Sequence, residues 1–397
     1  MRALLLLVAA AGAQPLENAS LRAGGDHFLL AQVRRALGSP ATPRALASAL
    51  VDDRFAYLRD AADYRFAAED GAGVAAAFAP GFAPRAAVPV VDLQASAFNA
   101  SALCAFLRAG APALAAHGGV EAFVVLSLGS AAFGSPFHPG VLRRAAATCG
   151  AGERDLEDLL LAPKLRRWFV AQHFPVVRAG SGSLDRPRGR APGDAAVGDT
   201  RGSARWVLHA KLHHVPLGVP RVFSRRLQRE NAWLEAWANP GPRDGAVYAN
   251  HKPRDYREAV ARTVARGLGA PLANAYVGKE RVKRRDAGDT RAYVAAMVRH
   301  KFVLSPPGSG VDCYRHWEAI LCGAIPIVEH NPLVADLLAG LPVLLVRAWA
   351  EVDAPRLRAE FARASRTTYD LRKLTTAFWR GELDRARATD HGLVEVG

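Results

Sequence analysis

The stretch KFVLSPPGSGVDCYRHWEAILCGAIPIV, residues 301–328, decides the fold. Its first five residues end a run rich in Val, Leu and Phe that is typical of a buried parallel strand. A turn with two glycines follows, and we predict a helix from Asp312, as its N-cap, to about Cys322, with Gly323 at its end. Residues 324–328 begin a second apolar strand. This order predicts a βαβ unit whose glycine turn lies at the carboxyl end of a strand, where open α/β sheets bind ligands.

The glycine turn is not the phosphate loop of an ATPase. That motif requires Lys and then Ser or Thr after its second glycine, where this chain has Val311 and Asp312. A glycine turn before a helix N-terminus is still a general anion site. Arg315 and Glu318 lie one turn apart on the helix, where Arg can clamp a diphosphate and Glu can accept hydrogen bonds from ribose hydroxyls. The alternative is an ordinary Arg–Glu pair on a helix surface.

Three segments carry a resemblance to a known family: Ser305-Pro-Pro-Gly, Asp312-Cys-Tyr-Arg-His-Trp-Glu-Ala and Gly323-Ala-Ile-Pro-Ile-Val. They resemble the signature of exostosin-like glycosyltransferases of the family 47 type. Weaker similarity, including Asn250-His-Lys-Pro-Arg, extends the resemblance over roughly residues 155–350. The resemblance implies the GT-B fold, an α/β architecture in which two Rossmann-like domains face a cleft and the C-terminal domain holds most of the donor.

The resemblance also implies a nucleotide-sugar pocket. Its expected donor-binding residues are Ser305, Gly308, Gly310, Arg315, Glu318, Asn250, Lys252 and Arg254. The chain contains no Asp-x-Asp, so we expect no metal site. The leaving diphosphate would be stabilised by Arg315, by the helix N-terminus after Gly310, and by Lys252 or Arg254. No cofactor is expected beyond the donor substrate, for which we expect a UDP-sugar, and no catalytic base is identified.

The N-terminus has the pattern of a signal peptide. Residues 1–13 combine a basic start, a short apolar run and an Ala-x-Ala cleavage site. The alternative is a buried N-terminal helix. No apolar run approaches the about 20 residues that a transmembrane helix needs. Sequons at Asn18 and Asn99 agree with a lumenal location.

Four cysteines are too few for a disulfide scaffold. In an oxidising lumen, Cys104 and Cys149 can form a disulfide. Cys313 and Cys322 lie nine residues apart on one predicted helix, which is too far for a bridge.

The 397 residues are enough for two domains with separate cores. We predict an acceptor-side α/β domain at 20–240 with a disordered insertion at 179–204, a donor-binding domain at 245–350, and closing helices at 351–397. The predicted helices are 26–37, 101–107, 141–148, 156–169, 227–237, 255–266 (ended by Gly267), 355–364 and 367–379, and the predicted strands include 88–93, 122–128, 246–250 and 342–346.

Three histidines raise the question of a metal site. His209 and His213 have a spacing that binds zinc on a helix, and His214 is adjacent. The pattern around His213 and Pro216 favours a strand instead, and no carboxylate is near in the sequence. We therefore predict no metal binding there.

Positive charge is concentrated in one region. Residues 205–301 contain 20 Lys and Arg against 8 Asp and Glu, a balance of +12 within a total of +15. Such charge favours an acidic partner, and the alternative is a solvated basic surface. A nucleic acid is not expected, because no recognition motif is present. A nucleotide diphosphate explains the charge, and an anionic glycan acceptor adds to it.

The sequence therefore predicts a metal-independent glycosyltransferase that moves a sugar from a nucleotide-sugar donor to a glycan or glycoprotein acceptor. Its expected location is the lumen of the Golgi or endoplasmic reticulum, or outside the cell after secretion. Two alternatives are a catalytically inactive relative that binds glycans or nucleotides, and a basic polyanion-binding protein without a nucleotide site.

Overall fold

The computed structural model describes residues 27–39, 41–50, 55–95, 99–128, 136–137, 139–171, 211–219, 226–251, 255–269, 272, 287–308 and 311–388. Several predictions lie outside the described residues: the signal peptide 1–13, the sequon at Asn18, the insertion 179–204, and residues His209, Lys252, Arg254 and Gly310.

The first sheet has five parallel strands whose spatial order follows the sequence. They are β1 (Tyr64–Phe66), β2 (Val90–Leu93), β3 (Phe123–Ser127), β4 (Leu165–Ala171) and β5 (Leu212–Val215). Every residue of β2 and β3 is buried, because helices cover both faces of a parallel sheet. The strands predicted at 88–93 and 122–128 are confirmed.

Eight α-helices are described before β5. They are α1 (Phe28–Ala36), α2 (Pro43–Ala49), α3 (Ala56–Arg59), α4 (Gly71–Ala77), α5 (Ser101–Ala105), α6 (Ala111–Ala116), α7 (Pro139–Cys149) and α8 (Glu153–Leu161). A π-helical turn, Phe106–Gly110, joins α5 to α6.

The second sheet has four parallel strands, again in sequence order. They are β6 (Gly245–Tyr248), β7 (His300–Leu304), β8 (Ile325–Glu329) and β9 (Leu344–Val346). The accompanying helices are α9 (Arg226–Ala238), α10 (Asp255–Leu268), α11 (Ala287–Arg299), α12 (Tyr314–Leu321), α13 (Pro332–Leu337), α14 (Ala354–Ser365) and α15 (Thr376–Arg387). The mixed α/β class with parallel sheets is confirmed, and it fits a Rossmann-like fold.

The helix predicted at 156–169 is wrong in its second half. Helix α8 ends at Leu161, and β4 begins at Leu165 after a turn at Pro163. The side chains of this strand alternate between its two faces: Trp168 and Val170 pack in one core cluster, whereas Phe169 and Ala171 pack in the other. Both faces of β4 are therefore apolar, a pattern that a buried helix also shows.

Two helix ends also differ from prediction. Gly267 lies inside α10, where a Cβ would come within 2.2 Å of the carbonyl oxygen of Val352, so this glycine permits a close approach of two backbones. Gly269 has the positive φ that a helix end requires. The helix predicted at 367–379 is a 3-10 turn, Leu371–Leu374, followed by α15, because Thr375 caps α15 by accepting from the Phe378 N–H.

The two ends of the described chain pack against the opposite sheets. Helix α1 joins the core of the second sheet through Leu29, and Gln32 donates to the carbonyl of Thr367 over 3.0 Å. Helix α15 returns to the first half, where Arg387 donates to the carbonyl of Ala61 over 3.2 Å. Both terminal helices therefore form contacts between the two halves of the chain.

Helix α12 ends where predicted, at Gly323. This glycine has φ +69°, and a Cβ there would lie 2.7 Å from the backbone nitrogen of Leu30 in α1. A left-handed helix end and a close helix contact both exclude a side chain.

A disulfide joins Cys104 to Cys149, as expected from the sequence, and links α5 to the end of α7. Cys313 and Cys322 are free, also as expected. Within the described residues, no helix has the length and apolar character that a membrane crossing requires.

Candidate functional site

The candidate site lies at the carboxyl edge of the second sheet. Ser305 and Gly308 follow β7 directly, and α12 begins at Tyr314. Asn250 and His251 follow β6 at the same edge. These chain segments lie together because the carboxyl ends of neighbouring parallel strands meet at the same edge of a sheet.

Asp312 is not the N-cap of α12. Cys313 occupies that position, and Asp312 is instead buried, accepting from the Leu217 N–H over 2.7 Å and from the Trp317 indole over 2.9 Å. Burial raises the pKa of Asp312 to about 6, with the charge of His316 opposing that rise. Since Leu217 lies just beyond β5, Asp312 ties the start of α12 to the first sheet.

Arg315 is a buried cation without a hydrogen-bond partner at its Nε. Its exposed fraction is 7%, and among the described residues no carboxylate forms an ion pair with it. Its charge acts on His251 and Cys313. Keeping a guanidinium out of water costs several kcal/mol unless its donors are satisfied, and an anion bound beside Nε would offset part of that cost.

Glu318 is more deeply buried than Arg315, with an exposed fraction of 1%. Its Oε2 accepts a hydrogen bond of 2.7 Å from the Tyr293 hydroxyl. In the described part of the chain no ion pair connects Glu318 to Arg315. The alternative of an ordinary surface pair is therefore wrong.

The loop after β6 adds two buried polar side chains. The Asn250 amide donates to the Tyr248 hydroxyl over 2.9 Å. His251 is fully buried, and burial together with the cations of Arg315 and Arg257 lowers its pKa to about 3. The imidazole of His251 is therefore neutral, and the positive charges of Arg315 and Arg257 both act on it.

Arg257, on the first turn of α10, was not among the predicted site residues. Its Nε and Nη2 donate to the carbonyl of Pro307 over 3.2 and 3.1 Å. A Cβ on Gly308 would lie 3.2 Å from Nη2 of Arg257, so glycine makes room for this guanidinium. A signal was present in the sequence, since Arg257 closely follows the strand end at Asn250, but a helix-surface arginine has the same pattern.

A second cluster that the sequence did not reveal lies beneath the turn. The Ser305 hydroxyl is 2.7 Å from Nδ1 of His316, and Sγ of Cys313 is 3.4 Å from Ser305 Oγ and 3.5 Å from that Nδ1. Burial alone would raise the pKa of the Cys313 thiol, but His316 and Arg315 outweigh it and lower the pKa to about 5. Burial lowers the pKa of His316, and the charge on Cys313 reverses that shift and raises it.

The histidines near β5 have structural contacts. His213 lies on β5, as the strand prediction requires, with Nε2 3.8 Å from a Glu382 oxygen and its ring against Trp379. Burial lowers the pKa of His213 to about 3. The described residues contain no group of three or more His, Cys, Asp or Glu side chains suited to a metal ion.

Comparison with known families gives one match. Residues 273–355 match the family model of the RXYLT1 C-terminal domain. The match supports a glycosyltransferase-like family and covers the glycine turn, Arg315 and Glu318. It does not include Asn250 or Arg257. No curated protein matches the chain.

Proposed function

We propose that this chain is a glycosyltransferase that moves a sugar from a nucleotide-sugar donor, a UDP-sugar in the first instance, to a glycan or glycoprotein acceptor. The family-model match over residues 273–355 supports the class of reaction. The donor site is argued from the geometry at the carboxyl edge of the second sheet.

The observation that carries the proposal is the buried Arg315, whose Nε has no hydrogen-bond partner among the described residues. A donor diphosphate supplies two negative groups and several acceptor oxygens, which match the planar donors of a guanidinium. The charge of Arg315 is then compensated only when the donor is bound. As the bond to the sugar breaks, negative charge grows on the leaving diphosphate, and Arg315 stabilises it most strongly at that point.

The turn and Arg257 complete the proposed diphosphate site. Arg257 holds the Pro307 carbonyl and thereby fixes the course of the backbone before Gly308. Its charge adds to that of Arg315 in a site where burial weakens screening. We also propose that Gly310, Lys252 and Arg254 contact the donor. We further propose that the reaction needs no metal ion.

We assign the ribose hydroxyls to Glu318. The Tyr293 hydroxyl holds one oxygen of this carboxylate in place, and carboxylates accept from ribose hydroxyls in dinucleotide folds. Because Glu318 is almost completely buried, this assignment requires the ribose to insert beside α12. Glu318→Gln tests this assignment separately from the diphosphate site.

For the architecture, we propose that residues 20–240 and 245–350 form two Rossmann-like domains that face a cleft, as in GT-B enzymes of the exostosin-like type, with 351–397 closing the structure. Two separate parallel sheets support this arrangement. The Cys104–Cys149 bond supports a lumenal or secreted location, since disulfides persist in oxidising compartments.

The testing experiment measures thermal stabilisation of the purified protein by UDP, GDP and CMP, followed by turnover of the matching nucleotide sugars. A ligand at 100 times its Kd stabilises the folded state by about 2.7 kcal/mol. We expect one nucleotide to raise the Tm in the wild type and not in Arg315→Ala. Arg299→Ala is the matched control, because Arg299 is exposed and pairs with Asp244 on the surface.

No shift with any nucleotide, combined with salt-sensitive heparin binding, would favour the polyanion-binding alternative. Nucleotide binding without turnover would favour the inactive relative.

A further inference from the structure

The chain has two free thiols at opposite ends of α12, and their surroundings differ. Cys322 follows the helix, is fully buried, and has its pKa raised by burial and by the charge of Glu318. Cys313 is the N-cap of the helix and is partly exposed. The N-terminal end of a helix dipole stabilises a negative charge, so the geometry of the helix alone already favours a thiolate at Cys313.

The side chains around Cys313 strengthen this preference. The imidazole of His316 lies 3.5 Å from Sγ at Nδ1 and 3.7 Å at Nε2. Ser305 Oγ is within 3.4 Å. A cysteine beside a protonated histidine at a helix N-terminus is the arrangement that makes a thiol nucleophilic.

The position of Cys313 links it to the proposed donor site. A Cβ on Gly308 would lie 3.9 Å from Cβ of Cys313 and 3.2 Å from Nη2 of Arg257. Cys313 therefore lies next to Gly308, and Arg315, two residues further along the chain, is the buried guanidinium assigned to the diphosphate. An adduct on Sγ would occupy space at this turn.

We propose that Cys313, paired with His316 beside Gly308, is a site of reversible covalent modification by low-molecular-mass disulfides, and that the adduct prevents donor binding. The second half of this proposal rests on the proposed function. In the step, the Cys313 sulfur attacks one sulfur of the reagent, whose S–S bond breaks as the mixed disulfide forms. The departing thiolate takes a proton from solvent, so one half of the reagent is reduced as Cys313 is oxidised.

Other charged groups face the pair from the neighbouring segments. Arg315 lies on the same helix, Asp312 precedes it, and Arg257 approaches across Gly308 from α10. Two of these three groups are cationic. Burial raises the pKa of Asp312 to about 6, so Asp312 becomes negatively charged between pH 6 and pH 8 and opposes the effect of the two cations on the thiolate.

The first test is the pH profile of alkylation in the native full chain, measured with iodoacetamide and peptide mass spectrometry. A thiol of ordinary pKa, about 8.5, becomes roughly a hundredfold more ionised between pH 6 and pH 8. We expect the labelling rate of Cys313 to change less than about threefold over that range, as for a thiol that is already ionised. Cys322 is the internal control and should remain unlabelled.

His316→Gln should restore a steep pH profile of labelling. If that variant fails to fold, the wild-type profile alone still tests whether Cys313 is ionised. A rate at Cys313 that rises in proportion to hydroxide, or equal labelling of both cysteines, would overturn the proposal.

The second test uses oxidised glutathione as the disulfide probe, with the Cys104–Cys149 bond checked by mass. We expect a mixed disulfide at Cys313, absent from Cys313→Ser, and loss of the nucleotide-induced Tm shift in the adduct. The stabilising nucleotide should slow labelling of Cys313 at least tenfold. If no nucleotide binds the unmodified protein but Cys313 shows the flat profile, the donor assignment fails and the thiol site stands. If a nucleotide binds equally well to the adduct, the coupling between the two is wrong.

Discussion

Each of the two parallel sheets has a buried ionisable side chain near its carboxyl edge, and the two side chains differ in their hydrogen-bond partners. On the first sheet, Asp92 in β2 is fully buried, but Arg59 pairs with one oxygen over 2.7 Å and Gln94 donates to the other over 2.7 Å. On the second sheet, Arg315 is buried and its Nε has no hydrogen-bond partner in the described part of the chain.

This difference fits a structural role for Asp92 and the proposed ligand-binding role for Arg315. Burial raises the pKa of Asp92 while Arg59 opposes the shift, so the chain itself provides the compensation. An uncompensated buried charge lowers stability, and proteins tolerate that cost where function requires it. The comparison therefore supports the proposed ligand site on the second sheet, where a bound anion would compensate the charge of Arg315.

The largest expected effect is on turnover. We expect Arg315→Ala to lower kcat/KM about 100-fold to 10,000-fold, because hydrogen bonds to charged groups contribute about 1.5–3 kcal/mol each and the guanidinium can make two. Asp92→Asn should leave kcat/KM within about threefold of the wild type, since it removes charge but not shape. Steady-state kinetics with the stabilising nucleotide sugar measures both, and an equal loss in both variants would break the comparison.

Stability without ligand should respond in the opposite sense. Asp92→Asn should lower the free energy of unfolding by about 1–3 kcal/mol, because a charge-assisted hydrogen bond to Arg59 is lost. Arg315→Met should leave it unchanged or raise it by up to about 2 kcal/mol, because an apolar chain of similar length relieves the desolvation of the cation. Urea unfolding in nucleotide-free buffer tests this. A large loss in Arg315→Met would mean that Arg315 is structural.

Acid should destabilise the second sheet through His251. Its pKa is about 3 in the folded protein, below the usual value near 6.5. Below pH 6.5 the unfolded chain binds a proton that the folded chain does not, so stability falls as pH falls, by about 2 kcal/mol between pH 8 and pH 5. His251→Asn should flatten the pH dependence of the unfolding free energy. A bound nucleotide should flatten it too, because its negative charge offsets Arg315 and Arg257. An unchanged slope in both cases would contradict the assigned surroundings of His251.

The smallest expected effect is at Arg257. Its guanidinium supports the turn through Pro307 and adds charge without being the buried, unpaired group. We expect Arg257→Ala to weaken nucleotide binding about tenfold, and Arg257→Lys to restore part of that loss, since Lys keeps the charge but not the forked contact. Titration calorimetry gives both values. A loss larger than that of Arg315→Ala would shift the main anion contact to Arg257.

The part of the fold that the sequence predicted well is local. In residues 301–328 an apolar run, a glycine turn and a helix end at Gly323 all lie within 28 residues, and the structure has β7, α12 and β8 there. The strand β4 was misread because its two faces enter different core clusters, so its composition is apolar on every side. The packing of α1 on the second sheet has no local signal, since it depends on contacts with residues over 300 positions away, such as Thr367.

The same limit applies to the site. Ser305, Gly308, Asn250 and Arg315 lie at one sheet edge, as strand topology implied. The role of Asp312 was misassigned, because Leu217, its partner, is 95 residues distant. The Cys313–His316 pair lies within one helical turn, but the contacts that orient the imidazole come from Ser305 and from the Val311 carbonyl, which the helix spacing does not predict.

The most direct measurement compares the affinities of UDP and uridine for the wild type and Arg315→Ala, which isolates the contact between Arg315 and the diphosphate as a coupling energy. If GDP or CMP is the stabilising nucleotide, the same cycle applies with its nucleoside. We predict that the wild type prefers the nucleotide over the nucleoside by a large factor and that Arg315→Ala reduces this preference at least about 30-fold, or about 2 kcal/mol. An unchanged preference would show that Arg315 does not bind the diphosphate, and the central claim would fail.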